Sequence, residues 1–169
     1  EKNQSINNKI LDSENNNSNF HNFETAFTNE DDKITNDIRS LIHNSFLSYR
    51  SKCSTSDYFQ PISGGCLNSS GLSLTTIESL ETLYISGLSE DFKTSADYVL
   101  NDFTCSSSKF QNFHEMGTKV LGGLIGIYSF TKDHRFIEKA VECAGIMKHA
   151  FKSSIPYPLL DGIKQQEKK

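Results

Sequence analysis

The sequence predicts an all-α fold, on three observations. Apolar residues recur at spacings of three and four in successive windows, and helix start and stop residues bound those windows. No stretch alternates apolar and polar residues over the length of a strand. Helices joined by short links pack as antiparallel neighbours, which suits a bundle, a solenoid or part of a helical toroid. Periodicity alone does not choose among the three.

The elements follow in chain order. Residues 1–34 are dominated by Asn, Ser and acids, with Phe20, Phe23 and Phe27 scattered without period. Such a stretch buries too little apolar surface to offset its ordering entropy. It reads as a disordered tail or stalk, leaving 35–169 to fold. Thr35 and Asn36 then cap a helix over 37–52, with Ile38, Leu41, Ile42, Phe46 and Tyr49 as its apolar stripe. A loop containing Pro61 runs from Cys53 to Ser70. The next helix covers 72–86, where Leu74, Ile77, Leu80, Tyr84 and Leu88 share a face and Gly87 supplies the stop.

Ser89 caps a third helix through Leu100, with Glu90 and Asp91 in its first turn. A Ser-rich loop over 101–109 leads into a fourth helix, 113–130. Thr131 and Asp133 open a fifth, which ends near 150–152. Pro156 and Pro158, one residue apart, make 153–158 irregular.

Composition excludes several function classes. A net charge of −4 with no basic stripe argues against a nucleic-acid surface. No apolar run reaches membrane-spanning length and no signal-peptide pattern is present, so any targeting segment is expected outside this sequence. The cysteines at 53, 66, 105 and 143 include no C-x-x-C pair, and the five histidines form no H-x-x-x-H pair, so a zinc site is not expected. The cysteines permit two disulfides without requiring them. Sequons at Asn3, Asn16 and Asn68 arise easily in an Asn/Ser-rich chain and favour a secretory route only slightly.

On the fourth helix, Glu115, Lys119, Gly122 and Gly126 fall on one face, while Phe113, Met116, Val120, Leu124 and Ile127 cover another. A carboxylate and a cation beside backbone bared by glycine form a plausible wall for a sugar. Taken alone, Glu115 and Lys119 are also an ordinary i, i+4 ion pair. An acid catalyst needs an apolar neighbour to raise its pKa, a part that falls to Phe113 and Met116.

Five segments, in the family's order, carry a resemblance. GLSLTTIESLETLYISGL (71–88) resembles G-L-x-L-T-x-V-D-A-L-D-T-L-Y-I-M-G-L of the class I α-mannosidases, glycoside hydrolase family 47. NFHEMGTKVLGGLIGIYSFTKD (112–133) resembles that family's N-x-F-E-x-T-I-R-x-L-G-G-L-L-S-A-Y-x-L-(S/T)-x-D. AFKSSIPYP (150–158) is similar to its A-F-x-(T)-P-S-G-I-P-Y. IRSLIHNSFLSYR (38–50) and Pro61–Ser63 fall where the family has its first helix and its R-P-I-S. The resemblance covers about 38 to 161.

The resemblance implies the N-terminal helix pairs of an (αα)7 barrel. It implies an inverting, Ca²⁺-dependent exo-α-1,2-mannosidase that trims high-mannose N-glycans in the ER or Golgi lumen. The runner-up is a mannosidase-like glycan-binding protein of ER quality control with little or no turnover. By position, Glu115 falls on the catalytic acid; Lys119 and Glu78 fall on substrate-binding residues, and Glu81 on the second acid of V-D-A-L-D-T. No metal ligand is expected within this chain. The Ca²⁺ ligands, the second-half carboxylates and the rest of the catalytic domain are expected beyond residue 169. That leaves faces such as Leu74, Ile77 and Leu121 without partners, and the isolated chain inactive and marginally stable.

The departures from the family pattern gather around the same positions. His114 replaces a Phe, Lys119 an Arg, and Glu78 and Glu81 each an Asp. Tyr58 stands where the family has an acid, and Gln60 where it has an Arg.

Overall fold

The computed structural model describes residues 29–151, 154–161 and 166–168; of 29–31 and 166–168 it describes the backbone only. Most of the expected tail, with Asn3 and Asn16, lies outside the described residues. The chain divides into two compact units, Glu1–Asn36 and Asp37–Lys169. Within the first, only the opening turns of one helix are described. All that follows concerns the second.

The elements are α1 (Asn29–Cys53), β1 (Tyr58–Gln60), β2 (Gly65–Leu67), α2 (Leu74–Ile85), α3 (Ser89–Asn101) and β3 (Phe110–Asn112). Then come α4 (Phe113–Glu115), a π-helical segment (Met116–Leu121), α5 (Gly122–Thr131), α6 (His134–Met147), a 3₁₀ turn (Lys148–Ala150), β4 (Leu159–Asp161) and β5 (Gln166–Lys168). The expected helices are present, with several corrections.

The first concerns α1. It starts at Asn29, so residues 29–34 are helical rather than tail, and Thr35 and Asn36 lie inside the helix instead of capping it. Its apolar stripe is also only half used. Phe46, Tyr49 and Cys53 bury themselves with Leu83 of α2, while Ile38 and Leu41 remain 52% and 66% exposed. Apolar spacing announces a face; a neighbouring element must still cover it.

Polar bonds fasten α1 to α2 and α3. Arg39 Nε donates to the Ser86 carbonyl at 2.7 Å. Asp91 of α3, with a side chain only 5% exposed, meets Arg50 at 3.0 Å and His43 at 2.5 Å. Asp91 lies in the first turn of α3 as expected, and there it is a buried partner in a cross-helix network. Ser89 is the first residue of α3, and no side chain caps that helix. Asp133 does cap α6, accepting from Arg135 N at 3.0 Å.

α2 sits at the centre. Leu74, Ile77 and Leu80 are fully buried in one cluster with Val99, Met116, Val120, Leu124, Ile127 and Phe136. The expectation that Leu74 and Ile77 lie bare is wrong, because α3 and α5 close over them; Leu121 is half-buried. Burying one such side chain is worth roughly 1.5–3 kcal/mol. The approach of α5 to α2 depends on Gly123. A Cβ there would stand 2.9 Å from Ile77 Cγ2 and 3.2 Å from the Ile77 carbonyl. Gly87, at φ +69°, ends the α2 region as its sequence position suggests.

The expected fourth helix is not uniform. Asn112 caps it by accepting from Glu115 N at 3.2 Å, and six residues then wind as π-helix before the α-helix resumes. Strands also exist, contrary to the sequence reading. β1 and β2 form an antiparallel hairpin with Phe59 opposite Cys66, and β3, β4 and β5 form a small antiparallel sheet in that order. Each strand has three residues, too few to display an alternating pattern.

The cysteines pair as Cys53–Cys66 and Cys105–Cys143, with Cα separations of 5.5 and 5.2 Å. The first ties the end of α1 to the β1–β2 hairpin. The second ties the loop after α3 to α6. Between α1 and β1, the wholly buried Asp57 accepts from the backbone N–H groups of Ser70, Gly71 and Leu72 at 2.6, 3.0 and 2.8 Å. Its carbonyl accepts from Thr75 N and Thr75 Oγ1. One residue thus fixes the loop that leads into α2 and the point from which β1 departs.

Candidate active site

Three separate parts of the chain meet in one polar cluster. β1 supplies Tyr58, α2 supplies Glu78, and the α4–π junction supplies Glu115 and Lys119. The Tyr58 hydroxyl donates to Glu115 Oε1 at 2.8 Å and accepts from Lys119 Nζ at 2.6 Å. Lys119 Nζ also donates to Glu115 Oε1 at 3.3 Å and lies 4.0 Å from Glu78 Oε2. The same ammonium sits 4.9 Å from the Tyr58 ring centroid. All three residues selected from sequence, Glu115, Lys119 and Glu78, are therefore brought together.

The local backbone explains the convergence. The Asn112 cap fixes where the helix begins and hence where Glu115 points. Lys119, inside the π-helical turn, still reaches the Glu115 carboxylate as an i, i+4 partner. Single π turns often occur where a helix must present a functional side chain. Asp57, immediately before Tyr58, anchors the start of β1, and the Cys53–Cys66 bridge closes the loop that carries it.

The cluster is partly open to solvent, with side-chain exposures of 26% for Glu115, 27% for Lys119 and 43% for Glu78. A groove of about 460 Å³ between α1 and α2 includes Glu78 but neither Glu115 nor Lys119. Burial, reinforced by the Glu115 charge, pushes the Tyr58 phenol above its ordinary pKa despite the opposing bond from Lys119. The Tyr58 hydroxyl, with help from Glu115 and Glu78, holds the Lys119 ammonium above its ordinary value. Tyr58 is thus a neutral donor and Lys119 a cation throughout the neutral range.

Other expectations are redistributed. Phe113 does not wall the acid; it meets Phe151 edge-on, with ring centroids 5.4 Å apart. Met116 is wholly buried in the core. The groups bonded to the Glu115 carboxylate are a phenol and an ammonium. Gly126 does not bare backbone toward a sugar, since the Glu81 carboxylate lies directly against it. His114 is exposed. Among the described residues, no group of three or more His, Cys, Asp or Glu side chains is placed to hold a metal ion. Tyr58 entered the sequence reading only as a departure. Asp57 carried no signal at all, since a buried loop acid looks like any surface Asp in sequence.

Comparison with known proteins places this geometry in context. The model of a family described as glycosyl hydrolase family 47 matches residues 41–169. A mannosyl-oligosaccharide 1,2-alpha-mannosidase of Arabidopsis thaliana is 30% identical over 125 residues, covering 72% of this chain and 22% of the relative. An endoplasmic reticulum mannosyl-oligosaccharide 1,2-alpha-mannosidase of Rattus norvegicus is 32% identical over 103 residues, covering 60% and 16%. The chain therefore spans about a fifth of the length of these relatives. An alpha-1,2-mannosidase structure from Trichoderma reesei superposes with a TM-score of 0.71 at 18% identity, covering 76% of this chain and 30% of that one. The all-α helix pairs have the fold of part of that structure, an (αα)7 barrel.

Proposed function

The chain belongs to glycosyl hydrolase family 47, and from that premise we propose that it carries the acid side of an α-1,2-mannosidase active site. The observation that carries the reading is the convergence of Glu115, Lys119, Tyr58 and Glu78 from three elements onto one solvent-reachable carboxylate. The full-length protein cleaves terminal mannose from high-mannose N-glycans in the secretory pathway, in the ER or Golgi lumen. Glu115 protonates the departing glycosidic oxygen, while Lys119 and Glu78 bind hydroxyls of the sugar.

The reaction proceeds with inversion. Such hydrolysis needs one protonated carboxyl on the leaving oxygen and a second carboxylate that activates water on the opposite face. Ca²⁺ is required and is supplied with ligands by residues other than those described here; its chemistry when bound is to engage sugar hydroxyls. The remainder of the catalytic domain is the first partner of this chain. A proton NMR time course on full-length protein tests the reading. α-1,2-linked mannobiose should release β-mannose first, and chelation of Ca²⁺ should stop release. Initial α-mannose, or full activity in chelator, contradicts it.

A glycan-binding homologue without turnover is the second reading. It is favoured by the two substitutions that meet at Glu115, Tyr58 and Lys119, since both bond the same carboxylate oxygen. High-mannose glycan that raises the melting temperature and leaves the protein untrimmed would select it.

A further inference from the structure

We propose that Tyr58 is a positioning residue that decides which oxygen of Glu115 carries the acid proton. The inference rests on the proposed acid role of Glu115 and assigns Tyr58 a part that its position in the family pattern, where an acid stands, does not supply.

The geometry is specific. A hydroxyl has one proton to give, and Tyr58 gives it to Glu115 Oε1, because Lys119 Nζ occupies its acceptor side at 2.6 Å. Lys119 donates to that same Oε1. With two donors aimed at it, Oε1 is held as an acceptor, so a proton on the carboxyl resides on Oε2. Oε2 is then the atom that faces the glycosidic oxygen. When the C1–O bond breaks, the leaving oxygen takes the Oε2 proton and departs as an alcohol. Water completes the substitution at C1 and gives its proton to the second carboxylate. The charge left on Glu115 is met at Oε1 by the Tyr58 O–H and the Lys119 ammonium. Tyr58 therefore orients the proton and eases its departure without touching the sugar.

Tyr58→Phe in full-length protein separates this role from simple packing, since the ring stays and only the hydroxyl goes. The expected result is a loss in kcat of about tenfold to a hundredfold with KM changed by less than about twofold. An unchanged kcat overturns the proposal. So does a loss that falls on KM as much as on kcat, which would assign the hydroxyl to holding the sugar or the hairpin. If Tyr58→Phe melts well below wild type, 3-fluorotyrosine at position 58 keeps shape and hydroxyl while strengthening the donor, and kcat must then stay at or above the wild-type value. Wild-type turnover that survives Glu115→Gln overturns the acid role itself. Turnover lost in Glu115→Gln but intact in Tyr58→Phe overturns only the role of Tyr58.

Discussion

At the residue scale the fold depends on a few polar atoms that no periodicity could reveal. Asp57 is the strongest case, a wholly buried carboxylate with three backbone donors on it. Buried N–H groups that lose their acceptor bear the full cost of desolvation. Asp57→Ala should therefore cost roughly 3 kcal/mol, read by chemical denaturation, with Asp57→Asn costing less because one carbonyl oxygen remains. A change under about 0.5 kcal/mol for the Ala variant, the size of an ordinary surface substitution, would show that the loop before α2 holds without it. The candidate site itself was partly legible. Glu115, Lys119 and Glu78 stood out because motif order placed them, and the structure unites them. Tyr58 was visible only as a mismatch, since a hydroxyl bridging two charged groups is a fact of distance rather than of spacing.

At the element scale, sequence and structure agree where apolar faces are long. α2, α3 and α6 fall within a few residues of their expected bounds, because three or more turns of apolar repeats outweigh local ambiguity. The π-helical turn was illegible, as a single wider turn leaves the apolar spacing of Met116, Val120 and Leu124 intact. The three-residue strands were invisible for want of length. α1 shows the opposite failure, a stripe whose exposed half looks in sequence like its buried half. Gly123 tests whether α5 must lie this close to α2. A methyl there meets the backbone of Ile77, which cannot swing aside as a side chain tip would. Gly123→Ala should destabilise by about 1–3 kcal/mol, as overpacking does, despite the better helix propensity of alanine. Thermal melting that rises instead would show that the contact yields.

At the scale of the whole molecule, two disulfides and two helical core clusters hold the loops that carry the candidate site. The Cys53–Cys66 bridge encloses both Asp57 and Tyr58, so the arrangement of the acid cluster and the covalent frame are one construction. Among the described residues no helix is long and apolar enough to cross a membrane. Helix order, motif order and superposition on a mannosidase barrel all agree on architecture, and the proposed chemistry is assigned to the cluster at Glu115. The most direct test is release of mannose from a high-mannose N-glycan by full-length protein, wild type against Glu115→Gln. Release by the wild type, reduced by about a hundredfold or more in the variant with its melting temperature unchanged, is the predicted result. Equal release by the two proteins would contradict the central claim.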